Sequence, residues 1–410
     1  MVINMKKKTI IIGAGASGLM TAIKAKTIDN EVIILERNND PAKKILATGN
    51  GRCNYWNDDQ DLSNYNSTNK ELLKEIITDN NCNEVLKTFT KLGIIPKIKS
   101  GYYYPSSNQA SSIRNALLNE IKNKKIEIKN NTYVENITKD KDKFIIKTNN
   151  ETFTCDNLVV STGGRAASKT GSDGTGYFIA KSFNHTIIKP LPALVQLRSE
   201  GKFLKSWAGV RTDVFVYLKE NGKIKKRTEG EIQLTDYGVS GICVYNLSSE
   251  VSRGLNENKK EELIINFLPF VETNPNTWLE EREKYIVKST IFSSLEKILN
   301  YKLVRVILEK SNIKETSYYK DLTDKQKSAL IKNLTNFTIE ITSTNSFNEA
   351  QTTTGGIPLT EIDPKTMESL LVKNLYFTGE ILDVDGICGG YNLGFAWISG
   401  ILAGRSINKE

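Results

Sequence analysis

Histidine is almost missing from this chain: His185 is the only one in 410 residues. That excludes a metal site built on several imidazoles and leaves a Ser-His-Asp triad one candidate base. His185 lies in KSFNHTIIKP, a helix-to-strand turn, where a surface or capping role is expected. Cysteine is sparse too. Residues 53, 82, 155, 243 and 388 form no C-x-x-C pair and are odd in number, so neither a disulfide framework nor a zinc cluster is expected. Long apolar runs are absent. No segment reaches the ~20 residues that span a bilayer, and the nearest, residues 389–404, is short and glycine-studded and reads as a buried helix. The N-terminal MKKKTIII runs into a glycine turn with no small-residue cleavage site, so it reads as a first strand and the chain as cytoplasmic, with no membrane partner. With the usual hydrolytic chemistry disfavoured, a bound cofactor must carry the reaction.

What is present begins in residues 6–25, KKKTIIIGAGASGLMTAIKA. An apolar strand meets a Gly-x-Gly-x-x-Gly turn at Gly13, Gly15 and Gly18 and enters a helix. Gly13 makes the tight turn, Gly15 admits a pyrophosphate to the backbone, and Gly18 lets helix and strand pack closely. The helix start offers free N–H groups and a positive dipole end. A second strand, EVIILE, ends in Glu36, 18 residues after Gly18, where a carboxylate accepts adenosine ribose hydroxyls.

The chain is long enough for two or three domains. KELLKEIITDNNCNEVLKTFTKL (70–92) reads as helical, GYYYPSSNQASS as a strand or turn leading into a helix, and residues 126–155 as a hairpin meander. DNLVVSTGG returns to the main sheet. This recurrence predicts an α/β doubly wound domain. From about residue 190 the residues alternate apolar and polar around Asn221-Gly222, a hairpin signal, which predicts an antiparallel sheet or barrel. From Trp278 to about Asn333 the periodicity turns helical, with Thr323 and Gln326 as a capping box. The expected domains are a discontinuous one of residues 1–189 and 347–410, an inserted β domain of 190–277 and 334–346, and a helical subdomain of 278–333.

The net charge is +9, unevenly spread. Over residues 347–410 acids outnumber bases 8 to 4, whereas residues 1–189 hold 28 bases against 19 acids. The basic balance suits a polyanion such as RNA; equally, the Asn-, Ile- and Lys-rich composition is what AT-rich coding produces. A strip of Lys219, Lys223, Lys225, Lys226 and Arg227 lies in the hairpin, with Lys223 and Lys225 expected on one face.

Three more segments carry chemistry. TGNGRCN (48–54) combines backbone freedom with Arg52 for a phosphate or flavin oxygen. STGGRAASKTGSDGTGY (161–177) suits close packing over the adenine end of a dinucleotide. GEILDVDGICGGYN (379–392) sets Glu380, Asp383 and Asp385 as acceptors for ribityl or ribose hydroxyls. A helix then begins near Gly390; aimed at a flavin N1–O2 edge, its dipole would stabilise the reduced anion.

GAGASGL, KKILATGNGRCN, GYYYPSSNQASS, STGG, GEIQLTDYGVSG, AQTTTGGI and GEILDVDGICGGYN, in this order over nearly the whole chain, resemble the BaiN/RdsA-like family of FAD-dependent oxidoreductases, the YhiN-like or aminoacetone-oxidase-like flavoproteins. The resemblance implies a Rossmann-like FAD-binding domain with an inserted antiparallel β-barrel domain and a nested helical subdomain. The cofactor-binding set is then Gly13, Gly15, Ala16, Ser17, Gly18, Glu36, Arg37, Asn50, Gly51, Arg52, Cys53, Asn54, Val134, Thr162, Gly163, Gly379, Glu380, Asp385, Gly390, Tyr391 and Asn392, with no metal. One departure is Tyr55-Trp56 after RCN, where members often carry Thr-Asn or Ser-Asn; it is expected to alter the lining beside the flavin.

Activities in the family include reduction of unsaturated steroids, oxidation of aminoacetone and formation of dihydrouridine in ribosomal RNA. No second glycine fingerprint follows a strand in residues 60–350, so NAD(P)H as reductant would approach the flavin directly. Hydride would pass through flavin N5 to an electrophilic C=C, with an acid protonating the adjacent carbon. Cys388 and Tyr391 lead the candidate acids, followed by Cys53 and the run Tyr102 to Tyr104. A uridine of ribosomal RNA and a small metabolite, an unsaturated ketone or an aminoacetone-like amine, both stay open as substrate, as does the oligomeric state.

Overall fold

The computed structural model describes residues 6–286 and 288–408; residues 1–5, Val287 and 409–410, which the expected domain ranges include, lie outside them. The chain divides into two compact units, one running to Leu191 and resuming at Gln351, the other Pro192–Ala350.

The first unit is built on a five-stranded sheet in the order Leu375–Phe377, Asn157–Val160, Lys7–Ile12, Asn30–Leu35, Glu127–Lys129. Every pairing is parallel. Parallel strands are covered on both faces, and Ile10, Ile11, Ile34, Leu158 and Val159 are accordingly fully buried. Helix Ala16–Ala25 packs along helix Tyr391–Ser406. The glycines of that second helix have a reason: a Cβ on Gly400 would stand 2.6 Å from the Ser17 carbonyl oxygen, and one on Gly404 2.6 Å from that of Thr21. No helix among the described residues is long and apolar enough to cross a membrane.

Two of the smaller sheets of this unit are three-stranded and antiparallel. One is the meander Val134–Asp140, Lys143–Thr148, Thr152–Cys155; the other orders Trp56–Asn57, Tyr102–Pro105, Pro96–Lys99. The helix expected over 70–92 is broken into Lys70–Ile76 and Asp79–Lys91. Thr78 accepts from Asn81 N at 3.3 Å and Asn81 Nδ2 donates to Ile76 O at 2.8 Å, so one cap ends the first helix and starts the second.

His185 occupies the expected turn but not the expected surface. It is buried, with Nδ1 2.7 Å from Glu361 Oε2 and Nε2 2.8 Å from Ser369 Oγ. Burial lowers its pKa, partly offset by Glu361. Ser369 Oγ also accepts from the backbone N–H groups of Leu371 and Val372. The trio is a tie between turns, and its serine is buried and fully engaged.

In the second unit six strands close a barrel in the order Leu197–Ser199, Gly238–Ser240, Lys223–Leu234, Arg211–Glu220, Glu261–Asn266, Phe337–Thr344. Alternation explains it: Val214, Val216 and Leu218 are buried while their neighbours are not. Asn221 and Gly222 take φ of 46° and 85°, a two-residue turn of the hairpin type. Helices Pro275–Tyr285, Ile291–Leu295, Tyr301–Lys310 and Asp324–Thr335 intervene between the last two strands in sequence, and the Thr323–Gln326 capping box forms.

The basic strip differs from expectation in two ways. A bulge shifts the register so that Leu218 faces Lys226 and Lys219 faces Ile224. Lys223 and Lys226 therefore share a face, and Lys225 is the extra residue. The charges are also engaged: Lys219 with Glu262 at 3.0 Å, Lys225 with Glu220 at 3.0 Å, Lys226 with Glu250 at 2.9 Å, and Arg227 with Glu229 at 3.4 Å.

Candidate functional site

The glycine turn, Glu36, Ser161–Gly164 and Thr378–Glu380 all follow the carboxyl ends of parallel sheet strands. The chain order reverses between Lys7–Ile12 and Asn157–Val160, the switch point where such sheets bind ligands. Gly13 has φ +101°, and a Cβ there would lie 2.5 Å from Ser161 O. A Cβ on Gly18 would lie 2.0 Å from Gly13 O, so only glycine closes this turn. Gly15 is different: a Cβ there meets nothing within 4 Å. The protein itself tolerates a side chain at Gly15, and the open space is kept for something else. Gly15 also heads helix Ala16–Ala25 with no side-chain cap, leaving its first N–H groups to a ligand.

Glu36 is buried and held on both oxygens. Oε2 accepts from Ala14 N at 2.9 Å, and Oε1 from Asn38 N and Nδ2, each at 2.8 Å. Oε2, with a single donor, retains acceptor capacity for a ribose hydroxyl. Beside it, Arg37 pairs with Asp173 and lies over the Tyr133 ring. Thr132 N donates to Glu36 O at 2.9 Å, which draws the start of the meander, and Val134 with it, to this end of the site. A Cβ on Gly176 would lie 1.9 Å from Thr162 Oγ1, and Gly163 takes φ +73°.

The two ends of the chain meet here. Ser17 Oγ donates to Thr378 O at 3.3 Å, Ser161 Oγ and Thr378 Oγ1 are 2.6 Å apart, and a Cβ on Gly379 would fall 2.6 Å from Ser17 Oγ. The acids of the carboxy-terminal loop are engaged within the protein. Glu380 Oε2 pairs with Lys44 at 2.6 Å and Oε1 accepts from Thr353 N at 2.9 Å. Asp383 Oδ2 takes Thr68 N and Oγ1 at 2.8 and 2.6 Å, and Asp385 Oδ2 takes Asn66 Nδ2 at 3.0 Å. Lys44 and Thr353 were not singled out from the sequence. Thr353 Oγ1 accepts from the N–H groups of Arg165 and Ala166, so it shapes the STGGR loop. Their signal lay in the KKILATGNG and QTTTGG motifs.

In TGNGRCN, Gly49, Asn50, Gly51 and Cys53 all have positive φ. Asn50, Gly51 and Arg52 are exposed, and the Arg52 guanidinium stands 5.5 Å from the Tyr104 ring. Cys53 is buried, its thiol pushed up to about 12 by desolvation. Asn54 Oδ1 is buried with no hydrogen-bond partner among the described residues. A Cβ on Gly390 would lie 3.0 Å from that oxygen, so Asn54 abuts the start of helix Tyr391–Ser406. Tyr55 and Trp56, expected beside the flavin, are both buried core, and a Gly390 Cβ would lie 2.9 Å from the Trp56 carbonyl oxygen. Tyr55 O accepts from Trp397 Nε1 at 3.0 Å, and Trp56 lies 3.2 Å from where a Gly394 Cβ would be.

Gly390, at φ +95°, starts that helix without a side-chain cap. Asn392 does not reach outward. Its Oδ1 accepts from Gly386 N at 2.9 Å and its Nδ2 donates to Gly386 O at 2.8 Å, closing the loop. Tyr391 is buried edge-on against Tyr65 at 5.5 Å, and its phenol is raised by burial. Cys388 is partly exposed, and burial of its thiol pushes it up to about 12. Both hold their protons at neutral pH, as a proton donor must. Asn57 Nδ2 donates to Gly389 O at 2.9 Å, and a Gly389 Cβ would lie 2.9 Å from the Tyr102 ring.

The residues present fit FAD. The open space at Gly15, the uncapped helix starts, the buried Glu36 and the orphaned Asn54 oxygen are the features a dinucleotide with a flavin would complete. Residues 7–406 match the family model described as the HI0933-like protein Rossmann domain, and the chain belongs to that family. It is 38% identical over 403 residues to the 3-dehydro-bile acid delta(4,6)-reductase of Clostridium scindens, covering 97% of this chain and 98% of that one. It is 29% identical over 393 residues to the ribosomal RNA dihydrouridine synthase of Escherichia coli, covering 95% of each. To the Haemophilus influenzae protein of the same name it is 28% identical over 413 residues, covering 98% and 99%. Fold, site and family define a flavoprotein oxidoreductase with a Rossmann-like FAD-binding fold.

Proposed function

We propose that this protein uses NAD(P)H to reduce a C=C bond conjugated to a carbonyl, and that uridine in RNA is its substrate. The activities named for its relatives share that chemistry: a 3-oxo-4-ene and the C5=C6 bond of uracil are both polarised by a carbonyl. The carrying observation is Cys388, a partly exposed residue whose thiol keeps its proton, two residues before the Gly390 helix start. FAD supplies the two-electron redox chemistry that no side chain here can.

The remaining work falls to the chain. Glu36 and the Gly15 turn hold the dinucleotide, Asn54 and the Gly390 helix start orient its redox end, and Cys388 donates the proton. The overall change adds a hydride from NAD(P)H and a proton across the double bond, releasing NAD(P)+. With no second glycine fingerprint in residues 60–350, nicotinamide and substrate take turns at one opening.

The second reading, a small unsaturated ketone, is favoured by the higher identity to the bile acid reductase and by the engaged charges of the barrel strip. Anaerobic incubation of the flavin-loaded protein with NADPH and either an oligouridylate or a 3-oxo-4-ene steroid tests both. Mass spectrometry should show two hydrogens gained by the uridine; gain by the steroid alone selects the second reading.

A further inference from the structure

The small sheet Trp56–Asn57, Tyr102–Pro105, Pro96–Lys99 presents a face that the site has not absorbed. Lys99 lies opposite Tyr102 and Lys97 opposite Tyr104. Directly opposed residues of antiparallel strands share a face, so two lysines and two tyrosines alternate on one surface. The other face carries Tyr103 and Trp56, both buried against Tyr55 and the helix core, with Ile98 opposite Tyr103 at its exposed edge. Arg52 extends the pattern by stacking on Tyr104.

Lys97, Lys99 and Tyr102 are exposed, and no carboxylate pairs with either lysine or with Arg52 among the described residues. Asp58 and Asp59 lie beyond the Asn57 end. Asp58 is bonded to Tyr103, and Asp59 accepts from Asp61 N and Asn64 Nδ2 within its own loop. The positive end is therefore at Lys97 and Arg52. The face also runs directly into the site: Asn57 holds Gly389 and the Tyr102 ring abuts it.

Alternating rings and free cations are what single-stranded nucleic acid requires. Bases stack on aromatic faces while cations hold the phosphates, and no sequence readout is needed. We propose that this face is a platform for single-stranded RNA, with bases on Tyr102 and Tyr104 and phosphates on Lys97, Lys99 and Arg52. It rests on the reading of uridine as substrate and specifies how the strand is presented to Cys388.

The test uses flavin-loaded protein and a labelled oligouridylate of about 12 nucleotides, with anisotropy measured from about 50 to about 200 mM KCl. The double variant K97E/K99E should bind at least about tenfold more weakly, and its log–log salt slope should flatten by about 1.4, two phosphate contacts at ~0.7 each. Tyr102→Ala should lose affinity about tenfold with the slope unchanged, because stacking releases no counterions. K97Q/K99Q, with FAD content read at the flavin absorbance band, guards against a folding artefact and should show the same flattening. Tight wild-type binding unaffected by all three variants overturns the platform and leaves the uridine reading intact. Wild-type protein that binds no RNA and reduces only the steroid overturns both.

Discussion

The two units handle unfinished chemistry in opposite ways. In the nucleotide unit the incomplete places gather at the carboxyl edge of one sheet: the void at Gly15, the uncapped helix starts, and the Asn54 oxygen with nothing to accept from. In the barrel unit Lys219, Lys225, Lys226 and Arg227 are met by carboxylates, and the conspicuous incompleteness is internal. Glu261 is 1% exposed with neither oxygen hydrogen-bonded among the described residues, and a Cβ on Gly254 would overlap its Oε1. Glu220 and Glu250 lie near it, with Lys225 and Lys259 as the facing cations. A set of vacancies arranged around one cleft reads as a binding site; a lone buried carboxylate reads as a cost to stability.

Gly15→Val acts on the vacancy in the nucleotide unit. A Cβ there meets no protein atom within 4 Å, so the unit should fold with the melting temperature of the flavin-free wild type, while FAD is lost completely. The ratio of flavin to protein absorbance reads this directly. Gly18→Val is the contrast: its Cβ collides with Gly13 O, so fold and flavin should fail together. Retention of FAD by Gly15→Val at wild-type level would show that the void is not the pyrophosphate path.

Next in size is Glu261→Gln in the barrel. Burial, with Glu220 as the second cause, raises this carboxyl from 4.5 to about 7. Below about pH 4.5 it is neutral folded and unfolded and contributes no penalty. As pH rises toward about 7 only the folded state keeps the proton, so stability falls, and above that the penalty is constant at about 3 kcal/mol. Urea titrations at acid and alkaline pH should show Glu261→Gln gaining up to that amount at pH 8 and little at pH 4.5. A wild-type barrel no less stable at pH 8 than at pH 5 would contradict this assignment.

Cys388→Ala returns to the nucleotide unit. Loss of the proton donor should lower turnover about 100-fold, the lower end for a general acid, with flavin content unchanged. Steady-state NADPH oxidation in the presence of substrate measures it. Wild-type turnover would move the role to another group, Tyr391 being less suited because it is buried against Tyr65.

What could be read from sequence was local. The roles of Gly13, Gly15 and Gly18, the Asn221-Gly222 turn and the Thr323–Gln326 box depend on a few consecutive residues, and each has the expected geometry. What escaped depends on partners far along the chain. Lys44 meets Glu380 across 336 positions, His185 is buried because Glu361 and Ser369 come to it, and Asp383 is taken by Thr68. Period-two alternation placed Lys223 and Lys225 together, but one inserted residue undid it, and a bulge has no composition of its own here. The aromatic run GYYYPSS was visible as a motif; its alternation with Lys97 and Lys99 required the strand register.

The smallest effect tests the paired charges of the barrel unit. Lys225 and Lys226 lie 3.0 and 2.9 Å from Glu220 and Glu250, and a cation already facing a carboxylate has less to offer a phosphate. Exposed and half-exposed pairs of this kind stabilise by about 0–1 kcal/mol. Binding RNA through them would also require breaking the pair, so few condensed counterions would be released on their account. K225Q/K226Q should therefore change oligouridylate affinity by less than about threefold and leave the salt slope as in the wild type, under conditions where K97Q/K99Q flattens it. Anisotropy on both variants at matched salt decides between them. A flattening confined to K225Q/K226Q would move the RNA-binding surface to the barrel and leave the tyrosine face to a neutral ligand.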